Sequence, residues 1–344
     1  MINIDGSIGE GGGQVLRTCL SLSLITGQPF HISNIRSRRP RPGLSAQHLS
    51  AVQVAAKIGL ADVHGAELNS TSISFAPTTI KAGHYICDIG TAGSTSLVLQ
   101  TVILPLSMGG AQSSITISGG THVPWSPSFD FMVQHWAWYL KKIGFDISLK
   151  LEFAGFYPQG GGLIHASIQP TDSISPLNLT QRGKLLQIRG FSAVANLDRR
   201  IAKRQRNQVL RRLGDKYPLC DIRISELSSR FRGTTICLIC EFENSQCCYF
   251  ALGEPGKPAE KVADEVADSV EHFLSTDASV DEFLADQILL PLSLARSKST
   301  FSTAKITHHL ITNSEVIQEF LPVKIQISGE IGSPGMVSLV SKPK

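Results

Sequence analysis

The pattern of apolar and polar positions predicts a unit that occurs three times along the chain. Each copy starts with an apolar helix, and the first two of these helices follow glycines, in GEGGGQVLRTCLSLSLITG and GTAGSTSLVLQTVILPLSMGG. A short alternating strand, a second helix and two further strands come next in each copy. The signature Lys-Ile-Gly at 57–59 returns at 142–144, about 85 residues later, which fits a supersecondary period. We therefore predict three βαβαββ-like repeats, each with its helices packed on one sheet, in a large α+β domain.

A segment with another pattern interrupts the repeats. Residues 184–276 alternate between strands and two helices in an order that is typical of a compact α/β unit. We predict that they form a smaller inserted domain between the second and third repeats. The large domain then consists of residues 1–183, which hold the first two repeats, and residues 277–344, which hold the third. The third repeat is expected to begin with one helix, DEFLADQILLPLSLA.

Composition narrows the class of protein without indicating a function. Of the 344 residues, 42% are hydrophobic and 17% are charged, which suits a folded globular protein rather than a disordered one. No apolar run reaches the roughly 18 residues that span a bilayer, and the N-terminus lacks the basic and apolar parts of a signal peptide. We therefore expect a cytoplasmic protein with no membrane partner.

The seven cysteines are an odd number, which argues against a full disulfide framework. Cys237 and Cys240 form a CxxC pattern inside TTICLICEF, a segment that is predicted to be a buried strand. Positions i and i+3 of a strand point to opposite faces, so one metal ion could not easily bind both thiolates. We interpret the pair as apolar filling rather than as a zinc or redox site.

The net charge of +4 is only mildly basic, but the basic residues are clustered. One cluster lies in the turn IRSRRPRPG, where two prolines and a glycine stiffen the chain. The other lies in the predicted helix LDRRIAKRQRNQVLRR. Both clusters fit an anionic polymer such as a nucleic acid. For the second cluster, a solvated helix face is an equal alternative.

The segment GSIGEGGGQVLRT raises a question of charge, because Glu10 stands among glycines just before a predicted helix. Bare N–H groups at such a helix start commonly bind phosphate, and a carboxylate has the wrong charge for that task. The segment has neither the Gly-Lys-Ser/Thr ending of a P-loop nor the last glycine of a dinucleotide fingerprint. The residues alone leave an anion site or a tight turn, in which Glu10 favours the helix start.

Three other groups of residues are candidates for chemistry. Side chains that suit phosphate oxygens follow the glycines: Arg17, Arg36, Arg39, Arg41 and Gln47. The pair His308 and His309 in KITHHLITN offers a base, a metal ligand or a nucleophile, or is structural. It has neither the i, i+4 spacing of a helical zinc site nor a G-x-S-x-G elbow nearby. The helix start EFLADQ offers an aromatic face, or only a core phenylalanine.

Eight segments, all in the same order, make the chain resemble the RNA 3′-terminal phosphate cyclase family. The segments are DGSIGEGGGQVLRT, RPRPGLSAQHL, GTAGSTSLVLQT, SGGTHVPWSP, GFYPQGGG, GEPGKPAEKVADE, EFLADQ and HHLITN. They span nearly the whole chain, insertion included, so the likeness is far more specific than any one motif. The resemblance implies the cyclase and enolpyruvyl transferase-like fold, with a large domain of three repeats and a smaller inserted α/β domain.

The resemblance also implies an activity, the ATP-dependent conversion of an RNA 3′-terminal phosphate to a 2′,3′-cyclic phosphate. A histidine takes AMP from ATP and releases pyrophosphate, and AMP then passes to the RNA to give RNA(3′)pp(5′)A. Attack by the neighbouring 2′-hydroxyl group closes the ring and releases AMP. The implied partners are ATP, RNA with a 3′-phosphate end and a divalent cation, Mg²⁺ or Mn²⁺.

Residue by residue, the resemblance makes His309, which precedes Leu-Ile-Thr-Asn, the nucleophile and Glu10 the acid that contacts the metal. The residues that handle phosphates of ATP or RNA would be Arg17, Arg36, Arg39, Arg41 and Gln47. Those of the nucleotide pocket would be Gln100, Phe283, Leu284, Ala285, Asp286 and Gln287. The aromatic ring at 283 would stack on adenine, and the polar side chains at 286 and 287 would bind polar edges.

Three departures and three alternatives stay open. Position 308 is a second histidine, so the choice of His309 depends on register. Arg41 stands where lysine is also found, which keeps the charge, and Pro255 stands where a basic residue is common. The alternatives are a non-catalytic cyclase-like RNA-processing factor, an enolpyruvyl transferase that shares only the architecture, and a plain basic RNA-binding module. The intact HHLITN segment and arginine set argue against the first, the eight segments against the second, and Glu10 with EFLADQ against the third.

Overall fold

The computed structural model describes residues 1–217 and 220–341. The first repeat contains β1 (Ile2–Asp5), α1 (Gln14–Thr26), β2 (Phe30–Ser33), α2 (Ala46–Gly59), β3 (Asp62–His64) and β4 (Ile73–Ala76). The second contains β5 (His84–Asp88), α3 (Thr95–Ser107), β6 (Ser113–Gly119), α4 (Phe129–Phe131), α5 (Ala137–Lys142), β7 (Ile147–Phe153) and β8 (Gly162–Ile168). A π-helical turn, Met132–Trp136, joins α4 to α5, so that the two form one helix.

The third repeat is divided by a long segment. It begins with a strand of two residues, β9 (Asn178–Leu179). The segment that follows contains β10 (Leu185–Ala195), α6 (Arg200–Leu213), β11 (Cys220–Glu226), β12 (Gly233–Phe242), β13 (Gln246–Leu252) and α7 (Ala259–Leu274). The repeat then resumes with α8 (Glu282–Gln287), α9 (Leu289–Ser293), β14 (Ser299–Thr303), α10 (His308–Phe320), β15 (Val323–Ser328) and β16 (Gly335–Ser341).

All three repeats build the same four-stranded sheet. The strand orders are β1-β2-β4-β3, β5-β6-β8-β7 and β9-β14-β16-β15. In each sheet the first two strands of the repeat run parallel, and the other neighbours run antiparallel. A parallel pair needs a crossover connection, which the first helix of the repeat supplies. The predicted α+β fold of three βαβαββ repeats is confirmed.

Two details differ from the expectation. The inserted segment lies inside the third repeat rather than between two repeats, because β9 precedes it and pairs in parallel with β14. A strand of two residues has no alternation that a sequence pattern could reveal. The expected single helix DEFLADQILLPLSLA is two short helices, α8 and α9. Pro291 has no N–H group to bond to the carbonyl of Gln287, but Pro105 stands at the matching place inside the unbroken α3, so proline alone does not end α8.

The inserted segment has a sheet of its own, in the order β11-β10-β12-β13. Helices α6 and α7 pack on one face of this sheet, and the other face joins the core of the repeats. Cys237 belongs to the core of the repeats, whereas Cys240 belongs to the core beneath α6 and α7. The prediction that the CxxC residues point to opposite faces is therefore confirmed, and both are free thiols.

One hydrophobic core runs through all three repeats. Helix α1 packs against α3 and α10, and Leu20, Val102 and Ile317 on these helices are fully buried. Each such side chain contributes roughly 1.5–3 kcal/mol by leaving water. The first and third repeats are thus held together by apolar contacts along α1. Among the described residues, no helix combines the length and the apolar character of a bilayer span.

A buried His–Asp pair connects the second repeat to the start of α8. Nε2 of His135, in the π-helical turn, lies 2.6 Å from Oδ2 of Asp281, and both side chains are fully buried. The other carboxylate oxygen of Asp281 caps α8 by accepting from the N–H groups of Phe283 and Leu284. The pair therefore fixes the position of α8, which carries most of the residues predicted to bind a nucleotide.

Asp281→Ala should lower the free energy of unfolding by roughly 3–5 kcal/mol, because it leaves His135 without its buried partner and α8 without its cap. Urea denaturation measures the change. Asp277→Ala, at an exposed carboxylate just before α8, is the matched control and should change the value by less than about 0.5 kcal/mol. Equal stability of the two variants would contradict this role of the pair.

Candidate active site

The glycine-rich loop between β1 and α1 lies directly on α10. Gly9 has a φ angle of +59°, and a Cβ atom at this position would lie 1.8 Å from Oγ1 of Thr312. Glycine alone combines the left-handed conformation with the absence of a Cβ atom. The close approach brings Glu10, from the first repeat, to the start of α10, in the third repeat.

Helix α1 begins at Gln14 without a cap. Its N-cap residue, Gly13, makes no side-chain hydrogen bond, and the first turn holds no acidic residue. A Cβ atom on Gly13 would lie 1.9 Å from Nε2 of His48 and 3.0 Å from Nη1 of Arg17, so both side chains lie beside the start of the helix. A guanidinium group at the positive end of a helix is unfavourable, and an anion would relieve it.

His309 lies in the first turn of α10, where Thr307 caps the helix by accepting from the N–H of Leu310. Nδ1 of His309 is 2.6 Å from Oε1 of Gln14, and Nε2 of Gln14 donates to Oδ2 of Asp286 at 2.7 Å. In its ionised form Asp286 only accepts, so it then fixes the orientation of the Gln14 amide, whose oxygen requires a proton on Nδ1 of His309. The other ring nitrogen, Nε2, faces the glycine-rich loop.

Glu10 lies in front of that nitrogen. Its Oε2 atom is 3.1 Å from Nε2 of His309 and 3.5 Å from Nη2 of Arg39. The side chain of His309 is 46% exposed and that of Glu10 is 36% exposed, so a ligand can reach both. His308 and Arg41 are exposed and take no part in these contacts. The structure therefore joins Glu10, Arg39 and His309 of the predicted site residues into one group.

Burial changes the protonation of this group. It raises the pKa of Asp286 to about 7, because desolvation of the carboxylate outweighs the attraction of Arg17. Burial also lowers the pKa of His309 below its ordinary value, although Glu10 acts in the opposite direction. The lowered pKa favours the neutral imidazole of His309 near neutral pH. A histidine acts as a nucleophile or a base in this neutral form.

The residues that follow His309 hold it in place. Nδ2 of Asn313 donates to the main-chain carbonyl of Asp286 at 2.8 Å, and its Oδ1 accepts from the hydroxyl of Thr18 at 2.7 Å. These two bonds join α10, α8 and α1 behind His309. The Leu-Ile-Thr-Asn sequence, on which the choice of His309 over His308 depends, is therefore part of the packing that positions His309.

Arg17 is the charged group at the start of α1. It is half-buried, and burial lowers its pKa to about 10, which leaves it protonated at neutral pH. Within residues 1–217 and 220–341 its guanidinium makes no hydrogen bond or ion pair. The pKa of His48 is lowered to about 3, mainly by burial and to a smaller extent by the charges of Arg17 and Arg36, so His48 beside Arg17 is neutral. Arg17 is consequently the group that an anion would meet.

Two other residues predicted to bind phosphate hold main chain instead. Nη1 of Arg36 donates to the carbonyl of Gly43 at 2.7 Å and so stabilises the RPRPG turn. Oε1 of Gln47 accepts from the N–H of Ser94 at 2.7 Å, just before α3. Both side chains therefore support the wall of the site, and their contact with a phosphate stays a prediction.

The residues predicted to bind a nucleotide divide into an exposed edge and a buried part. The ring of Phe283 is exposed, and Nε2 of Gln287 donates to its carbonyl at 2.7 Å. Nε2 of Gln100 donates to Oε1 of Gln287 at 2.6 Å, which extends this polar edge to α3. Leu284 and Ala285 are fully buried, so their side chains are not open to a nucleotide, and any contact would go through their main chain.

The carboxylate of Asp286 faces Gln14 rather than the polar edge formed by Gln100 and Gln287. Residues 283 and 287 are one helical turn apart and share a face, whereas residue 286 points to another side. On that side its carboxylate accepts from Gln14 and lies close to Arg17. The carboxylate of Asp286 therefore orients Gln14, and its contact with a nucleotide stays a prediction.

Two arginines in the basic cluster of α6 are paired with acidic residues of α7. Arg204 donates to both carboxylate oxygens of Glu260, at 2.7 and 2.6 Å. Arg212 reaches Asp264 at 3.2 Å and Asp268 at 2.8 Å. The solvated, ion-paired helix face therefore describes Arg204 and Arg212, whereas Lys203 and Arg206 form no ion pair within the described residues.

Comparisons with known proteins identify the family. The family model described as RNA 3′-terminal phosphate cyclase matches residues 8–327. The chain belongs to this family. Curated relatives named RNA 3′-terminal phosphate cyclase include one from Gloeothece citriformis, 40% identical over 337 residues and 96% of each chain. One from Methanopyrus kandleri is 40% identical over 349 residues and 98% of each chain. The resemblance drawn from the eight segments is confirmed.

Several contacts of this cyclase-family site were not evident from the sequence. Gln14 orients His309, Asn313 and Thr18 join the three helices, and His48 lies against the start of α1. Gln14 stands directly after three glycines and Asn313 ends HHLITN, so both lie in the segments that carry the family resemblance. Their roles come from contacts between distant parts of the chain, which local patterns do not contain.

A divalent cation fits this site if the substrate supplies some of its ligands. Among residues 1–217 and 220–341, no group of three or more His, Cys, Asp or Glu side chains converges as a metal site. Glu10 offers one carboxylate on the open side of His309. Mg²⁺ typically combines one or two carboxylates with water and phosphate oxygens, so this donor set suits such an ion.

The raised pKa of Asp286 predicts a pH dependence of stability. Its pKa of about 7 lies above the ordinary value of 3.8, so between these pH values the folded protein holds a proton that the unfolded chain has released. The contribution of Asp286 to the free energy of unfolding therefore falls as pH rises through this window. Relative to Asp286→Asn, the wild type should lose at least about 1 kcal/mol between pH 4 and pH 8.

Urea denaturation of both proteins at several pH values measures this difference. His309 is present in both, so its own titration largely cancels in the comparison. Asp172→Asn, at an exposed carboxylate, is the control and should change the free energy of unfolding by less than about 0.5 kcal/mol. If Asp286→Asn also gave a constant difference, the carboxylate would have an ordinary pKa, and its burial would not cost stability.

Proposed function

We propose that this protein is an ATP-dependent RNA 3′-terminal phosphate cyclase in which Nε2 of His309 is the nucleophile. The assignment to the family supports the cyclisation of an RNA 3′-terminal phosphate. The observation that carries the mechanism is the chain of hydrogen bonds from Asp286 through Gln14 to Nδ1 of His309. It keeps a proton on Nδ1 and leaves Nε2 directed at the open side of the site.

In the first step, Nε2 of His309 attacks the α-phosphorus of ATP, an N–P bond forms, and the P–O bond to pyrophosphate breaks. The attacking nitrogen must first lose any proton, and Glu10, whose Oε2 atom is 3.1 Å away, is placed to accept it. The lowered pKa of His309 favours that loss. The covalent histidine–AMP divides one difficult displacement into easier ones and keeps AMP activated.

Positive charge at the start of α1 would bind the phosphates. The protonated Arg17 and the uncapped N–H groups of α1 are close together, and Arg39 adds charge beside Glu10. Glu10 would also hold a Mg²⁺ or Mn²⁺ ion, which when bound offsets negative charge on the phosphate oxygens. The exposed ring of Phe283 and the Gln100–Gln287 pair would receive the adenine.

The later steps transfer AMP to the RNA and close the ring. An oxygen of the RNA 3′-phosphate attacks the phosphorus of histidine–AMP, the N–P bond breaks, and RNA(3′)pp(5′)A forms. The neighbouring 2′-hydroxyl then attacks the 3′-phosphorus, and AMP leaves. This step depends mainly on proximity, because the hydroxyl and the activated phosphate share one ribose.

A non-catalytic, cyclase-like RNA-processing factor is the second candidate. Such a protein has no use for a reactive histidine. The contacts of His309 with Gln14 and Glu10 favour catalysis, as does the burial of Asp286, which raises its pKa and makes its ionised form costly. A binding protein would gain no advantage from that cost.

Incubation with α-labelled ATP and Mg²⁺ or Mn²⁺ should label the protein through an acid-labile, base-stable bond. His309→Ala should abolish labelling, whereas His308→Ala should leave it, because His308 is exposed and outside the hydrogen-bonded group. If only His308→Ala lost labelling, His308 would be the nucleophile instead.

End-group analysis of an RNA with a 3′-phosphate, after incubation with the protein and ATP, should show a 2′,3′-cyclic phosphate. Unchanged RNA ends, together with an unlabelled protein, would favour the non-catalytic factor.

Gln14→Ala should slow self-labelling about 10- to 100-fold, since it removes the group that orients His309 without touching the reacting atoms. The pH at which labelling reaches half of its maximum should also shift, because Asp286 then no longer acts on His309 through Gln14. Gln53→Ala, at an exposed glutamine of α2, is the control and should leave both quantities unchanged. If Gln14→Ala labelled itself at the wild-type rate and with the wild-type pH profile, Gln14 would not be needed to orient His309.

A further inference from the structure

The second repeat and the inserted segment meet at three adjoining loops. The loops are 119–127 after β6, 154–161 between β7 and β8, and 227–232 between β11 and β12. The N–H of His122 donates to the carbonyl of Gly155 at 2.9 Å, which joins the first loop to the second. The N–H of Ala154 donates to the carbonyl of Ser228 at 2.7 Å, which joins the second loop to the third.

Each loop exposes an aromatic side chain: Trp125 is 99% exposed, Tyr157 67% and Phe231 38%. Trp125 also has a φ angle of 62°, a conformation that costs a bulky residue on the order of 1–3 kcal/mol. The hydroxyl of Ser126 donates to the carbonyl of Val123 at 3.2 Å and closes this turn. A strained turn that leaves an indole ring in water adds nothing to stability, which points to a ligand.

The third loop also carries positive charge that is not offset. Arg230 and Arg232 are exposed, and neither forms an ion pair or a side-chain hydrogen bond within the described parts of the chain. The guanidinium of Arg230 lies 5.7 Å from the ring of Phe153. Two arginines of α6, Arg204 and Arg212, are different, because carboxylates of α7 pair with them.

A cavity of about 340 Å³ lies at this junction. The polar and aromatic side chains in its lining are Asp88, Thr91, Ser118, Phe153, Gln159 and Arg230. Asp88 accepts from the hydroxyl of Ser118 at 2.6 Å and from the N–H of Gly90 at 3.0 Å, and these bonds lower its pKa. The cavity thus offers a fixed acceptor, a cation and an aromatic ring in a volume at the lower end for small-molecule sites.

The wall of the cavity continues to the site of His309. Thr91 in the cavity belongs to the loop that leads to Ser94, whose N–H donates to Gln47. The next residue, His48, lies against Gly13 at the start of α1. A polymer whose end lies at His309 can therefore follow this wall to the three loops.

We propose that the three loops and the cavity bind the single-stranded RNA that precedes the 3′-terminal phosphate. Its bases would stack on Trp125, Tyr157 and Phe231, and its backbone phosphates would pair with Arg230 and Arg232. This inference rests on the RNA substrate of the proposed function. Stacking on aromatic rings beside free cations is how proteins bind single strands without sequence preference. Asp88 would accept from a base amino group or a 2′-hydroxyl, and one base would fill the cavity.

The test uses oligouridylates of 3 and 12 nucleotides with 3′-phosphate ends, without ATP. The 12-mer should bind more tightly and quench tryptophan fluorescence, because Trp125 is exposed, whereas Trp136 is buried and Trp138 is half-buried. Trp125→Ala and Arg230→Glu should each weaken binding of the 12-mer about tenfold. Both should leave binding of the 3-mer and self-labelling by ATP unchanged. Arg230→Glu should also reduce the salt dependence of binding.

The control variants are Arg223→Glu, at an exposed arginine of β11, and Leu68→Ala, at an exposed apolar residue of the first repeat. Both should bind the 12-mer like the wild type. Equal binding of the 12-mer by wild type, Trp125→Ala and Arg230→Glu would overturn the proposal and make Trp125 a contact for a protein partner instead. The wild type could also bind the 12-mer more tightly than the 3-mer, with this preference lost in the two variants, and yet show neither self-labelling nor cyclisation. That result would support the RNA-binding surface and refute the proposed function.

Discussion

The contact between α1 and α10 is the constraint on which the rest of the site depends. His309 comes from the end of the chain, while Glu10 and Gln14, which contact its two ring nitrogens, come from the beginning. The hydrogen bond between Thr18 and Asn313 and the apolar packing of the two helices hold these parts together. At Gly9 the chains approach so closely that a Cβ atom would collide with Thr312. Closure of the first repeat on the third is therefore what creates the site.

The site is built at a cost to stability. Asp286 is a carboxylate whose burial raises its pKa to about 7, and it lies between the amide of Gln14 and the charged Arg17. A neutral residue would avoid the desolvation, but an ionised carboxylate is the acceptor that sets the orientation of Gln14 without ambiguity. Functional sites commonly keep such locally unfavourable groups where the surrounding structure compensates for them. Here the compensation comes from Asn313 and the cores of α1, α8 and α10.

The sequence predicted the architecture of the repeats more completely than it predicted the side-chain contacts in the site. Helices and strands of the repeats have clear periods, and the glycines and Lys-Ile-Gly signatures mark their order, so the three βαβαββ units could be recognised. The two residues of β9 are too short to show a period, so β9 was not assigned to the third repeat and the insertion was predicted between repeats rather than inside the third. In the site, resemblance selected Glu10, Arg39 and His309, which meet. It could not show that Asp286 faces Gln14 or that Gln47 holds Ser94, because both depend on contacts between distant segments.

Comparison of the three repeats explains why they form a single site of this kind. Each repeat passes from its first strand through a connection to its first helix, so each could offer N–H groups to an anion. In the second repeat, the hydroxyl of Ser94 caps α3, and in the third, Asp281 caps α8. A side-chain cap occupies main-chain N–H groups that would otherwise bind an anion, and a carboxylate cap also repels the anion. Only α1, of these three described helices, begins without a side-chain cap, and there Arg17 adds a positive charge instead. The asymmetry of the caps thus directs phosphate to the repeat that closes on His309.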